Sequence, residues 1–312
     1  VNWKKLGLIV EPNLSLDWMS HGAGPSFAKV LENGELEIFV SGRDNQNRSR
    51  IGTVYYDLNK MQLIHVSEKC LFPLGELGTF DFNGVSYPWI VEVAQETRLY
   101  YTGWTRGFHV SFINDLGLAV KNNRDTNFNK ISRAPLIPRS NDDPFGIGSV
   151  CVLHENSEWK MWYTCFKKWG DKTDPDRHFY HIKYATSTDG FLWKRDNIVA
   201  IDFNEENGEY VTGKPSVLKY RDWYLMWFSY RGASYKLGFA ISHNGIDWKR
   251  MEHKVGIDVS SSGFDSEMIC YGHIFSYQEN LYMVYNGNGY GRSGLGLARL
   301  PLKDLDNFLE TV

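Results

Sequence analysis

Carboxylates at a recurring spacing are the first residues in this chain that could do chemistry. Asp81, Asp143, Glu209 and Glu267 stand 7, 6, 6 and 5 residues upstream of Pro88, Ser149, Pro215 and Gly272, each of which leads into an apolar run. Acids gathered around one cavity suit paired acid and base work, because burial and a neighbouring carboxylate drive their pKa values apart. In the first segment of the chain the comparable place, four residues upstream of Pro25, holds His21. The loops expected on the same face are cationic: Arg43 beside Asp44, with Arg48 and Arg50, then Arg106, Lys167, Lys168, Arg231 and Arg292. Against 34 Lys+Arg, 37 Asp+Glu and a net charge of -3, a basic residue aimed inward from every segment predicts an anionic ligand such as phosphate, carboxylate or sulfate. Trp104, Trp169, Tyr230 and Tyr290 lie in the same loops, and their faces could stack on a sugar ring or a base.

These residues need a scaffold that repeats, and the chain repeats. Pro25, Pro88, Ser149, Pro215 and Gly272 are separated by 63, 61, 66 and 57 residues. After each anchor comes an aromatic second strand, as in Trp159-Lys160-Met161-Trp162-Tyr163 and Leu281-Tyr282-Met283-Val284-Tyr285. A third follows, with glycine at its second position in four of five copies: Gly52, Gly117, Gly238 and Gly296, where close backbone approach is expected. Asp189-Gly190 and Asn244-Gly245 then predict two-residue hairpin turns into a fourth strand. Four antiparallel strands repeated five times predict an all-β, five-bladed β-propeller spanning 1–312 as one domain. Trp3-Lys4-Lys5-Leu6-Gly7-Leu8-Ile9 copies the fourth strands and is expected to close the last blade. Trp162, Trp193, Trp227 and Trp248 recur at strand positions and are assigned to packing between blades.

Composition narrows the function classes. Aromatic residues at 15% beside 29 glycines argue against a helical bundle, and 42% hydrophobic residues argue against disorder. The balanced charge gives no nucleic-acid or membrane partner, and no apolar run has the length of a membrane span. Cys70, Cys151, Cys165 and Cys270 lack paired spacing, so we read them as free, mostly buried thiols and expect no metal site. Val1-Asn2-Trp3-Lys4-Lys5 does not read as a secretory signal, which makes a cytoplasmic protein the expectation. No Walker loop, dinucleotide glycine motif, His-Glu-x-x-His or nucleophile elbow appears, and no cofactor is expected.

Proline-led first strands, aromatic second strands, and Ser187-Thr188-Asp189-Gly190-Phe191-Leu192-Trp193 after Ile182-Lys183-Tyr184-Ala185 make the chain resemble the five-bladed propeller glycosidases. These are glycoside hydrolase families 43, 32 and 68 and the mannoside phosphorylase family 130. The resemblance implies a central site where carboxylates act as acid and base on a glycosidic bond. Family 43 places its base directly before the proline of the first inner strand, where this chain has Gly24; Tyr87 and Gly148 hold the matching places in the next two segments. The roles that follow are Glu267 or Glu209 as general acid and Asp81 or Asp143 as base. His21, Arg43, Asp44, Trp104, Arg106, Lys167, Trp169, Arg231 and Arg292 would bind the substrate. The implied ligand is an anionic sugar, sugar phosphate or nucleotide sugar, cleaved or transferred. A propeller that only binds such a ligand, or a phosphate-dependent phosphorylase, are the alternatives.

Overall fold

Aromatic and β-branched residues at alternating positions fit a pleated, half-buried surface, and here they do so throughout. The computed structural model describes residues 1–312 and places twenty strands with little helix. β1 (Lys4–Val10) stands apart from the strands that follow it in sequence. β2 (Gly22–Val30), β3 (Glu35–Arg43), β4 (Ser49–Asp57) and β5 (Gln62–Val66) pair antiparallel in that order. The pattern returns in β6 (Gly84–Val93), β7 (Glu96–Thr105), β8 (Ile113–Asn122) and β9 (Asn129–Lys130). It returns again in β10 (Ile147–Glu155), β11 (Glu158–Trp169), β12 (His178–Ser187) and β13 (Lys194–Ile201). A fourth group contains β14 (Val211–Tyr220), β15 (Trp223–Arg231), β16 (Tyr235–Ser242) and β17 (Lys249–Arg250). The last is β18 (Cys270–Tyr277), β19 (Asn280–Asn286) and β20 (Leu295–Pro301), completed by β1, with Lys4 opposite Arg299. The chain is therefore all-β, built of antiparallel sheets.

The first strands of the groups touch in succession, and β18 touches β2. Side chains tie them together: the backbone N–H of Val217 donates to Cys151 Sγ at 3.3 Å, that of Ile274 to Ser216 Oγ at 3.0 Å, and that of Ala28 to His273 Nδ1 at 3.1 Å. Each first strand also carries a β-bulge at its anchor, seen as a register shift between Ala23 and Ser26, Ser86 and Trp89, Ile147 and Val150, Gly213 and Ser216, and Cys270 and His273. Bulges re-aim a side chain out of the ladder, and these five decide what faces the cavity described below.

Packing follows the sequence pattern closely. Trp162 and Trp227 are fully buried, and Trp3, directly ahead of β1, packs edge-on against Trp227 at 5.8 Å. The glycines of the third strands leave room for rings: a Cβ on Gly117 would lie 2.3 Å from Tyr101, and one on Gly296 2.6 Å from Tyr285. Cys151, Cys165 and Cys270 are buried and Cys70 is half-buried, all as free thiols. One local expectation fails. Asp189-Gly190 and Asn244-Gly245 do not form two-residue hairpins, because their side chains organise wider turns. Asp189 Oδ1 accepts from the N–H groups of Phe191 and Leu192, and Ser187 Oγ accepts from those of Asp189 and Gly190. No helix is long and apolar enough to cross a membrane.

Candidate functional site

The bulges and the loops after the second strands enclose a cavity of about 820 Å³. Its floor is formed by the residues directly before the five anchors: Gly24, Tyr87, Gly148, Lys214 and Tyr271. Four of these five positions have left-handed or positive-φ backbone, at +115° for Gly24, +53° for Tyr87, +49° for Lys214 and +58° for Tyr271. Three side chains that ordinarily avoid this region adopt it here, which marks the floor as a place where geometry is imposed by the surroundings. Hydroxyls of neighbouring strands hold them: Ser41 Oγ accepts from the N–H of Tyr87 at 2.9 Å, Ser149 Oγ from that of Lys214 at 3.0 Å, and Ser229 Oγ from that of Tyr271 at 2.7 Å.

Cations and phenols dominate the wall. Arg43, Arg106, Arg231 and Arg292 line it, and none of them forms an ion pair. The Arg43 guanidinium lies 5.2 Å from the Trp104 ring and donates to the carbonyl of Asn47 at 3.0 Å; burial pulls its pKa down without neutralising it. Arg231 sits 5.4 Å from the rings of both Tyr210 and Tyr235, with its buried Nε unpartnered. Tyr180 and Tyr235 share a hydroxyl–hydroxyl hydrogen bond, and Tyr271 packs edge-on against both Tyr87 and Tyr235. Burial pushes the Tyr87 phenol up to about 12, so these hydroxyls stay protonated and serve as donors. His178 also faces the cavity, its pKa lowered by burial.

One acid lines this space, Asp44, and it is already committed. It is 1% exposed, accepts from the N–H groups of Gln46 and Arg48 at 2.9 Å, and pairs with Arg48 Nε at 2.8 Å and Arg50 Nη2 at 3.5 Å. Asp44 thus braces the loop that presents Arg43.

The four acids expected to converge do not reach the cavity. Asp81 bonds Lys130 Nζ at 2.6 Å and the Tyr101 hydroxyl at 3.2 Å. Asp143 is fully buried and bonds Lys183 Nζ at 2.8 Å, Arg195 Nη1 at 2.7 Å and the Tyr163 hydroxyl at 3.1 Å. Burial pushes its pKa up, but the bonds from Lys183 and Cys165 and the charges of Lys183 and Arg195 outweigh that and hold it below the usual carboxylate range. Glu209 pairs with Arg250 at 3.0 Å. Glu267 is solvent-exposed, and the matching position in its group is Asp265, which bonds Lys5 Nζ at 2.7 Å and the Tyr285 hydroxyl at 2.9 Å. The spacing that drew attention to these acids has a structural cause. In four groups a carboxylate ahead of the first strand is tied to a cation of the fourth strand: Lys130 of β9, Arg195 of β13, Arg250 of β17 and Lys5 of β1.

Of the residues expected to bind substrate, His21, Arg43, Asp44, Trp104, Arg106, Arg231 and Arg292 line the cavity, together with Tyr290. Lys167 and Trp169 do not. Lys167 lies 3.3 Å from Asp202 in a second hollow of about 1010 Å³ that also holds Glu209 and Arg250, and Trp169 packs against Phe112 and Phe166. The hollow's Lys167, Glu209 and Arg250 are all ion-paired, whereas the guanidiniums of the cavity have no carboxylate partner, which makes the cavity the candidate site. Lys214, Tyr271, Tyr180 and Tyr235 are the site residues that sequence reasoning missed. The signal for the first two was the residue directly before each anchor; the other two have no repeat signal.

Comparison with known proteins gives relatives and a fold. No family model matches the chain. Uncharacterized protein Rv1502 of Mycobacterium tuberculosis strain H37Rv is 36% identical over 299 residues, covering 96% of this chain and 99% of that protein, and uncharacterized protein MT1551 of strain CDC 1551 matches equally. Among solved structures, a complex of BT0996 with RGII superposes with a TM-score of 0.72 at 16% identity, covering 95% of this chain and 90% of that protein. A GH130 structure, from work on mannoside phosphorylases and β-1,2-mannoside hydrolases, gives 0.69 at 15% identity, covering 97% and 94%. A thermostable family-43 glycoside hydrolase gives 0.69 at 13% identity, covering 93% and 91%. The fold is therefore the propeller type of the glycosidases, and the chain belongs to one family with Rv1502.

Proposed function

We propose that the five strand groups are the blades of one closed five-bladed propeller, and that its central cavity binds an anionic sugar, such as a sugar phosphate or nucleotide sugar. The observation that carries this reading is the set of four cavity guanidiniums without a carboxylate partner. Arg43 and Arg231 are half-buried, whereas Arg106 and Arg292 are exposed; a half-buried guanidinium left unpaired by the protein calls for the acceptor oxygens of a ligand. The cavity volume falls within the roughly 300–1,000 Å³ usual for small-molecule sites. The Trp104 ring and the tyrosine hydroxyls supply a stacking face and donors suited to a sugar. A structural neighbour in complex with RGII supports a carbohydrate ligand in this kind of fold.

The geometry favours binding over cleavage by a carboxylate pair, because such cleavage needs two acids flanking the bond, roughly 5–10 Å apart. Asp44 is the one acid of the cavity, and both its oxygens are engaged by arginine and backbone. Calorimetry with a sugar phosphate, a nucleotide sugar and the matching neutral sugar tests this reading. Both anionic ligands should bind, more weakly as salt rises, and the neutral sugar should bind much more weakly. Arg231→Ala should weaken the anionic ligands by about 10-fold to 100-fold, the loss expected of one charged hydrogen-bonding group. Equal affinity for the neutral sugar, or no effect of Arg231→Ala, would overturn it.

A further inference from the structure

Charge is not spread evenly around the cavity wall. The guanidiniums fall in two pairs. Arg43 Nη1 and Arg106 Nη2 donate to the consecutive carbonyls of Asn47 and Gln46, at 3.0 Å and 3.3 Å, which sets them side by side. Tyr290, in the same short turn as Arg292, packs edge-on against Tyr235 at 5.7 Å, and Arg231 lies 5.4 Å from that same Tyr235 ring. The strand group of β10 to β13 supplies no cation to the lining. Its loop lysines turn away, Lys167 to Asp202 and Lys168 onto the Phe179 ring at 4.1 Å. In their place the wall carries Phe166, His178 and Tyr180, joined by Phe112 and Asn114 of the neighbouring group. The His178 imidazole is uncharged at neutral pH, because burial lowers its pKa. The rings form one cluster: Phe112 meets Phe166 and His178 edge-to-face at 6.0 Å and 5.2 Å, and His178 lies parallel to Tyr180 at 5.6 Å. A cluster serving the core alone would be closed on itself, whereas Phe112 and His178 stay half-buried on the cavity wall. The side-chain amide of Asn114 has no hydrogen-bond partner in the protein and is not sealed from solvent.

We propose that this uncharged sector is a base subsite, and that the ligand is a nucleoside diphosphate, free or joined to a sugar. This deepens the reading above and rests on it, because the arginines hold the phosphates while the rings hold the base. A nucleobase has a flat π-face that stacks on aromatic rings, and an edge that both donates and accepts hydrogen bonds. The sector supplies the rings, and the Asn114 amide supplies a donor and an acceptor on one side chain. A bare sugar phosphate would leave that sector empty, and a second phosphate gains nothing from uncharged rings. Two pairs of guanidiniums suit the two phosphates of a diphosphate. Trp104, 5.2 Å from the Arg43 guanidinium, lies on the cationic side and remains for a sugar joined to the diphosphate.

Calorimetry tests this with ADP and UDP against pyrophosphate and ribose 5-phosphate, which carry the phosphates or the ribose without a base. The better nucleotide should bind at least about 10-fold tighter than either base-free compound, the gain expected of one stacked base. Phe112→Ala should weaken that nucleotide by about 10-fold and leave pyrophosphate unchanged. Phe112→Tyr, which keeps a ring, should retain the wild-type affinity for both. Nucleotides that bind the wild-type protein no tighter than pyrophosphate would overturn the base subsite and leave the anion site standing. So would a Phe112→Ala variant that loses neither ligand, or loses both equally. Binding of none of the four compounds would instead defeat the anion-site reading beneath the proposal.

Discussion

Replacing Lys214 with methionine should stabilise the protein, an unusual direction for a substitution at a buried site. The wild-type amine is fully enclosed, lacks a partner, and has its pKa drawn from 10.5 to about 8 by desolvation. A shift of that size corresponds to about 3 kcal/mol of penalty for the charged form in the folded state. Methionine keeps the unbranched stem against Trp89 and removes the charge, so most of that penalty should be recovered at pH 7. Because the folded pKa lies below the unfolded one, the unfolded chain holds the proton more tightly across the window from about 8 to 10.5. Wild-type stability therefore gains with pH through that window relative to the variant. The penalty is full below about 8 and gone above 10.5. Differential scanning calorimetry of the two proteins between about pH 7 and 10 reads this directly. Lys214→Met should melt about 5 °C higher at pH 7, given the unfolding entropy of a chain this long, and the gap should narrow as pH rises. A variant that melts lower at pH 7, or a gap that does not change with pH, would refute the account of Lys214 as an unpaired buried amine.

Two further outcomes concern the scaffold. Asp143→Asn should destabilise by about 3–5 kcal/mol, because it leaves Lys183 and Arg195 without their counter-charge, yet it should leave ligand affinity in the cavity unchanged. Since Asp143 and Asp265 have pKa values held below the ordinary 3.8, their contribution is complete above that value and is lost as pH falls below it; acid titration of the melting temperature should show that loss, shallower in Asp143→Asn. Deleting residues 1–10 removes β1 from β20, the Lys5–Asp265 pair and the Trp3–Trp227 contact, and should abolish cooperative unfolding as followed by circular dichroism.

The strands were legible in the sequence because the second strands are aromatic and alternating, as in Trp159–Tyr163, and the third strands are apolar with a recurring glycine, a pattern that burial enforces. The pairing of β1 with β20 was legible because Trp3-Lys4-Lys5 matches the starts of two other outer strands, Trp193-Lys194-Arg195 and Trp248-Lys249-Arg250. The arginines of the cavity were legible from their place after the second strands. The acids misled because recurrence alone does not separate a repeated brace from a repeated function. Asp81, Asp143 and Glu209 recur since each group needs its first and fourth strands tied, and the cations that tie them lie 41 to 52 residues away in sequence. Lys214 and Tyr271 were hidden by the opposite effect: their position before the anchor recurs, but the residue type there differs from group to group, so no side chain repeats to draw attention to it.

That difference separates two jobs along a single strand. At Tyr87, Lys214 and Tyr271 the backbone N–H is held by a serine of a neighbouring strand, whatever side chain the position carries. These three floor positions therefore behave as sockets. Neighbouring strands are wired together there through their serines, and the side chain plugged into each socket can change without rewiring them. Tyr87, Lys214 and Tyr271 are one setting of three such sockets, whereas a Cβ on Gly24 would lie 2.5 Å from Asn286. A new setting would give the same scaffold a different cavity floor.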